Sequence, residues 1–110
     1  ERAQGGHAFK SRCRTSVIEG STLRDNTVGD AAEFSYGGAV TIRDSVISQP
    51  DGPNGNVVRH GAEGCRHAGS LTFVNGTVLS SRTPGYIRSA CAAVDVNGTE
   101  LSENIEIAQP

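Results

Sequence analysis

The chain has 110 residues, a net charge of −2 and no Trp or Met. This length allows a single domain, and the charge argues against a nucleic-acid-binding protein. No run of 18 apolar residues occurs, so we expect no membrane-spanning helix. The polar residues 1–6 do not resemble a secretory signal, and for a secreted protein we expect a signal that was removed or lies upstream.

A six-residue phrase recurs four times along the chain. It reads aliphatic, any residue, Gly or Asp, Ser or Thr, any residue, aliphatic, and its copies occupy residues 18–23, 42–47, 74–79 and 96–101. Self-similarity at a period of about 20 to 50 residues is typical of repeat proteins, whose units pack on their neighbours. The phrase therefore predicts a solenoid.

Stacking the four copies aligns similar residues in columns, as a solenoid requires. The residues just before Val74 alternate out of step with the other copies, so we expect a β-bulge near Phe73 or Val74. The predicted columns are Ile18, Ile42, Val74 and Val96 for the first aliphatic, Leu23, Ile47, Leu79 and Leu101 for the last, Ser21, Ser45, Thr77 and Thr99 for the hydroxyl, and Cys13, Gly37, Gly69 and Cys91 for a small residue.

The apolar positions are mostly β-branched, no helical apolar stripe is present, and the chain contains 14 Gly. These features favour short strands joined by sharp turns. We predict an all-β right-handed parallel β-helix of about four coils, forming one domain over residues 1–110. The coils are placed at residues 9–30, 31–50, 62–84 and 85–107, with a loop insertion at 49–67. Residues 105–107 resemble the start of a fifth coil, so we expect a segment of a longer or stacked solenoid.

The insertion contains the densest polar cluster in the sequence. Insertions on solenoids gather on one face, which is often the binding face. A metal site would use His60, Cys65 and His67, but their spacing matches no zinc pattern and a fourth ligand is missing. We therefore expect neither a metal nor a cofactor. The candidate binding residues are Arg59, His60, Glu63, Arg66 and His67.

The three cysteines do not pair in an obvious way. Cys13 and Cys91 share a column three coils apart, which is about 14 Å at the strand spacing and beyond the roughly 7 Å limit for a disulfide. We expect both to be small buried residues. A bond between Cys65 and Cys91 in adjacent coils is the alternative, and cysteine usage leaves the compartment open.

Asn75 and Asn97 each begin an Asn-Gly-Thr sequon. We place both in one column at an outward-facing turn, which makes them glycosylation candidates if the protein is secreted by a eukaryote. Asn-Gly is also a favoured turn dipeptide, so turn formation alone accounts for both.

An enzyme of this fold would require a constellation of acidic residues. Glycoside hydrolysis uses two carboxylates facing each other across a groove, and a lyase needs acids for calcium or a basic residue as proton acceptor. The only compact acidic group is Asp25, Asp30 and Glu33, and turn formation explains the first two. We expect no catalytic residues, with a carbohydrate-active β-helix enzyme as the alternative.

Two segments carry a family resemblance. Residues 21–26 followed by 37–40, and residues 69–73 followed by 75–77, resemble the β-helix repeats of polymorphic outer-membrane proteins and related surface adhesins. The resemblance implies an extracellular, surface-displayed, non-catalytic repeat protein. We expect a rigid spacer, adhesin segment or filament subunit, whose partners are neighbouring coils, other protein subunits or carbohydrate.

Overall fold

The computed structural model describes residues 9–24, 31–49, 56–81 and 84–110. Within these ranges the chain forms short strands, and no helix there has the length and apolar character to cross a bilayer. The strands are β1 (Phe9–Ser11), β2 (Thr15–Glu19), β3 (Thr22–Arg24), β4 (Ala32–Phe34), β5 (Gly37–Arg43), β6 (Val46–Gln49), β7 (Asn56–His60), β8 (His67–Val74), β9 (Thr77–Ser80), β10 (Gly85–Ser89), β11 (Val94–Asn97), β12 (Glu100–Leu101) and β13 (Ile105–Ala108).

The chain winds through three parallel sheets. Sheet 1 has the order β1-β4-β7-β10-β13, sheet 2 the order β2-β5-β8-β11, and sheet 3 the order β3-β6-β9-β12. Each successive set of three strands, which we call coils one to four, adds one strand to each sheet, and β13 returns to sheet 1 beside β10. Every strand pair is parallel. The predicted all-β fold of stacked parallel strands is confirmed.

The core consists of apolar side chains stacked from coil to coil on the inner faces of the sheets. Alternation along β2 buries Ser16 and Ile18 and exposes their neighbours, as expected for a strand with one face in the core. The inner columns are Phe9, Ala32, Val58, Ile87 and Ile107 in sheet 1, Ile18, Ile42, Phe73 and Val96 in sheet 2, and Leu23, Ile47, Val78 and Leu101 in sheet 3.

The predicted alignment of coil three was wrong by one residue. Phe73, not Val74, pairs with Ile42 and is buried, and Val78, not Leu79, pairs with Ile47. Leu79 is 43% exposed. Because a strand alternates between faces, the shift exchanges the inner and outer residues of this coil. Burial of the large Phe ring outweighs the match to the repeated phrase.

The expected bulge lies elsewhere. Pairing between β5 and β8 is regular from Ala39 to Arg43, and the irregularity falls between Gly37 and Ala39. Gly38 has a φ of 93°, and a Cβ there would lie 2.6 Å from the carbonyl oxygen of Arg14. Close backbone contact between coils therefore requires glycine at this bulge.

The turn between sheets 2 and 3 repeats one backbone conformation in all four coils. The residue after β2, β5, β8 or β11 has a positive φ of 52° to 60°. Gly, Asp and Asn are the residue types that adopt this region most readily. The four residues are Gly20, Asp44, Asn75 and Gly98. Gly76 consequently occupies the third-coil position of the hydroxyl column, where Thr77 was predicted.

Part of the predicted insertion is a strand. Residues 56–60 form β7, which pairs with β4 on one side and β10 on the other. Its side chains Val57, Val58 and His60 are buried. The strand is difficult to recognise because two polar residues follow the valines, and one of them is enclosed in the core. Residues 50–55 of the insertion lie outside the described residues.

Candidate functional site

Residues 61–66, here called the corner loop, connect β7 to β8 where the chain turns from sheet 1 to sheet 2. The loop stacks on the corresponding turn of coil two. The N–H of Gly61 donates to the carbonyl of Phe34 at 2.8 Å, and the N–H of Glu63 donates to the carbonyl of Ser35 at 2.8 Å. Gly61 and Gly64 have φ values of 85° and 115°, which allow the sharp turn from sheet 1 to sheet 2.

Glu63 connects the corner loop to coil one. Arg12 donates two hydrogen bonds to its carboxylate, from Nε at 3.1 Å and from Nη2 at 3.0 Å. Lys10 Nζ lies 3.7 Å from the same carboxylate. A bidentate Arg–carboxylate pair is geometrically specific. It here joins residues that are 51 positions apart in sequence.

Arg66 and His67 contact an aromatic ring of coil two. The guanidinium carbon of Arg66 lies 4.9 Å from the centroid of the Tyr36 ring, and that of Arg12 lies 5.7 Å from it. His67 packs edge-on against the same ring, with centroids 5.9 Å apart. Cation–π contacts of this kind fix the direction of a guanidinium group. The Tyr36 ring therefore packs against three side chains of the corner and positions them.

A disulfide connects the corner loop to coil four. Cys65 and Cys91 are bonded, with Cα atoms 5.5 Å apart. The alternative pairing considered above is thus the one observed, and the expectation of an unpaired Cys91 was wrong. Cys13 is also not buried: its thiol is free and exposed. Coils three and four are adjacent, so stacking of their turns brings the two Cα atoms within disulfide range.

His60 lies in the core, and both of its ring nitrogens are hydrogen-bonded within the fold. Its side chain is buried, with Nε2 2.9 Å from the carbonyl oxygen of Gly38 and Nδ1 2.9 Å from Ser89 Oγ. A carbonyl only accepts, so Nε2 carries a proton. Ser89 Oγ accepts from the N–H groups of Cys91 and Ala92 and has its own proton to donate to Nδ1. His60 therefore has no exposed surface with which to contact a partner.

Arg59 lies on the outer side of sheet 1. It is paired in register with Glu33 on β4 and with Arg88 on β10. Arg88 packs against Tyr86 at 4.4 Å and donates from Nε to Asn56 Oδ1 at 3.1 Å. Of the candidate binding residues, Glu63, Arg66 and His67 thus share the corner, Arg59 lies on the adjacent sheet, and His60 lies inside.

Arg12 and Tyr36 complete the corner but were not among the residues predicted from the sequence. Both follow a strand of sheet 1, at the same turn as the corner loop, with Tyr36 one coil away and Arg12 two coils away. Aligning the turns between sheets 1 and 2, rather than the repeated phrase alone, places them beside Glu63 and Arg66. Arg12 and Tyr36 would then have been recognised as neighbours of the predicted cluster.

The other candidates are distributed over the fold. Asp25 and Asp30 lie outside the described residues. Glu33 is buried, accepts a hydrogen bond from Ser35 Oγ and lies 3.9 Å from Lys10 Nζ. Asn75 and Asn97 are exposed but do not share a column, because Asn97 pairs with Val74. In the described ranges no three His, Cys, Asp or Glu side chains converge as metal ligands would.

Because of the Arg12–Glu63 pair, we expect the stability of the fold to depend on pH. The hydrogen bonds from Arg12 hold the pKa of Glu63 below its ordinary value of 4.5. A lowered folded-state pKa adds stability that is complete above the ordinary value and is lost as pH falls through the folded-state value. The difference in unfolding free energy between wild type and Glu63→Gln should therefore be largest near neutral pH and shrink below about pH 4.5. Urea denaturation from pH 7 to pH 3 measures this.

Glu103→Gln is the matched control, since Glu103 is exposed and forms no ion pair with a described residue. It should leave stability near neutral pH almost unchanged. Equal effects of the two substitutions would contradict the assignment of the effect to the corner.

Comparison of the chain with protein-family models, curated proteins and solved structures finds no significant match. Its function must therefore be inferred from the site itself.

Proposed function

We propose that the chain is an extracellular structural and adhesive module, a right-handed parallel β-helix that serves as a rigid spacer within a longer or stacked solenoid. The observation that carries this proposal is the corner loop. Through Glu63 it contacts coil one, through its backbone and Arg66 it contacts coil two, and through Cys65 it is bonded to coil four. A loop that contacts all the other coils opposes both their sliding and their separation.

Two further observations support the proposal. The disulfide favours an oxidising compartment such as the cell exterior. In coil four Ile87 is buried, but Val94, Val96 and Leu101 are only half-buried, unlike their counterparts in coils two and three, which is compatible with further chain packing against β11 and β12. The resemblance to surface adhesins points in the same direction.

Mechanical extension tests the spacer role. When a single molecule is pulled from both ends, we expect the oxidised protein to resist until the corner-loop contacts break. Reduction should then add about 90 Å of extended chain, since 26 residues at about 3.5 Å each are no longer enclosed by the disulfide. The Cys13→Ser protein should behave like wild type. Release of single coils from the oxidised protein at low force would contradict the proposal.

Localisation is tested separately on protein from its natural source. A membrane-impermeant biotin reagent should label the protein on intact cells, and thiol titration of the unfolded protein should find one free thiol, that of Cys13, before reduction and three after. Three free thiols without reduction, or no labelling of intact cells, would oppose an extracellular role.

A further inference from the structure

Positive charge is concentrated on one side of this acidic chain. Six of the eight Lys and Arg residues in the described ranges lie on the outer side of sheet 1 or at the corner that follows it, together with three of the eight described acids. We call this surface the basic face. Its members are Lys10, Arg12, Arg14, Arg59, Arg66 and Arg88.

The acids on this side neutralise only part of that charge. Glu33 is buried behind Lys10, and Glu63 is held by Arg12. The third acid, Glu106, is exposed on β13. Arg59 and Arg88 are direct neighbours on paired strands, where like charges are destabilising. Glu33 lies beside Arg59, and Tyr86 and Asn56 hold Arg88, so two guanidinium groups are fixed side by side on this face, an arrangement that favours binding of an anion.

The guanidinium groups are oriented before any ligand arrives. Arg66 packs on the Tyr36 ring and Arg88 on the Tyr86 ring, so both tyrosines of the chain support an arginine on the same side of the molecule. Arg66 and Arg88 are both exposed. A guanidinium held in one orientation loses less freedom when it binds a carboxylate or sulfate through two parallel hydrogen bonds.

We propose that the basic face binds a linear acidic polysaccharide through its carboxylate or sulfate groups. This rests on the proposed adhesive function and names its ligand class. A single-stranded nucleic acid is disfavoured because a guanidinium already lies over each Tyr ring, which leaves less aromatic surface for bases to stack on. A membrane surface is disfavoured because the exposed large hydrophobic residues Val17, Val46 and Leu79 lie on sheets 2 and 3.

The test compares two double variants that remove the same charge from different sides. Arg66→Gln/Arg88→Gln alters the basic face, whereas Arg24→Gln/Arg43→Gln alters exposed arginines of sheets 3 and 2. Binding to dextran sulfate, polygalacturonate, neutral dextran and duplex DNA is measured by surface plasmon resonance at two salt concentrations. Circular dichroism melting establishes that each variant is folded, and Arg66→Lys/Arg88→Lys retains the charge without the planar group.

We expect salt-sensitive binding to at least one acidic polysaccharide, weakened about tenfold or more by the basic-face Gln variant and less than twofold by the control. The Lys variant should lie between them. Which acidic polysaccharide binds distinguishes sulfate from carboxylate recognition. Equal loss in both Gln variants, equal binding to neutral dextran, tighter binding to DNA, or no binding at all would overturn the inference. The extension experiment does not depend on ligand binding. If no polysaccharide binds, that experiment still tests the spacer role.

Discussion

Replacing Phe73 by Ala should lower the free energy of unfolding by about 3 to 5 kcal/mol, the range typical of a buried Phe. Phe73 is 1% exposed and continues the inner column of Ile18, Ile42 and Val96. Removing the ring leaves a cavity between coils two and four that Ile42 and Val96 cannot fill. Chemical denaturation of purified variants measures the change.

Val74→Ala is the matched control, because Val74 lies next to Phe73 but on the outer side of β8 and is only half-buried. It should cost well under half as much. If Val74→Ala were the more damaging substitution, coil three would have the register that the repeated phrase predicted, and the observed register would be refuted.

Removing the Cys65–Cys91 bond is expected to cost about 3 to 4 kcal/mol. The bond closes a loop with a sequence separation of 26, and the loss of chain entropy in the unfolded state for a loop of this length gives that estimate. The Cys65→Ser/Cys91→Ser variant should unfold at a lower urea concentration than wild type under non-reducing conditions.

Cys13→Ser controls for the loss of a thiol, since Cys13 is free and exposed. It should leave the unfolding midpoint nearly unchanged, and a reducing agent should abolish the difference between wild type and the double variant. A persistent difference after full reduction would assign the effect to packing at Gly61, against which the Cys91 sulfur lies, rather than to the cross-link.

The repeated phrase was sufficient to predict parallel strands stacked in coils, because the fold depends on aliphatic residues at a regular spacing. It failed for coil three because the turn needs one residue with a positive φ, and in an Asn-Gly dipeptide either residue can adopt it. In coil four Gly98 adopts the positive φ, whereas in coil three Asn75 does. The dipeptide is the same, and only burial of Phe73 decides between the two registers.

The corner was harder to predict for a different reason. Its ring of contacts joins Arg12, Tyr36, Glu63 and Cys91, which lie in four different coils. Periodicity describes how a residue relates to its equivalent one coil away, and it contains no information about a loop that leaves its own coil. The polar cluster was predicted and the Cys65–Cys91 bond was considered as an alternative, but Arg12 and Tyr36 were not identified.

The corner loop also changes how this solenoid should respond to the loss of a repeat. Stability in repeat proteins is usually a sum of units and nearest-neighbour interfaces, so repeats can be lost one at a time. Here Arg12 and Glu63 are joined across coil two, and Cys65 and Cys91 join the loop to coil four. The Arg12–Glu63 pair bypasses coil two, and together with the disulfide to the adjacent coil four it couples the coils into one cooperative folding unit. Excision of coil two would remove Tyr36 and displace Arg12 from its partner. Coils one to three of this chain should therefore unfold together, unlike the independent units of an ordinary repeat array.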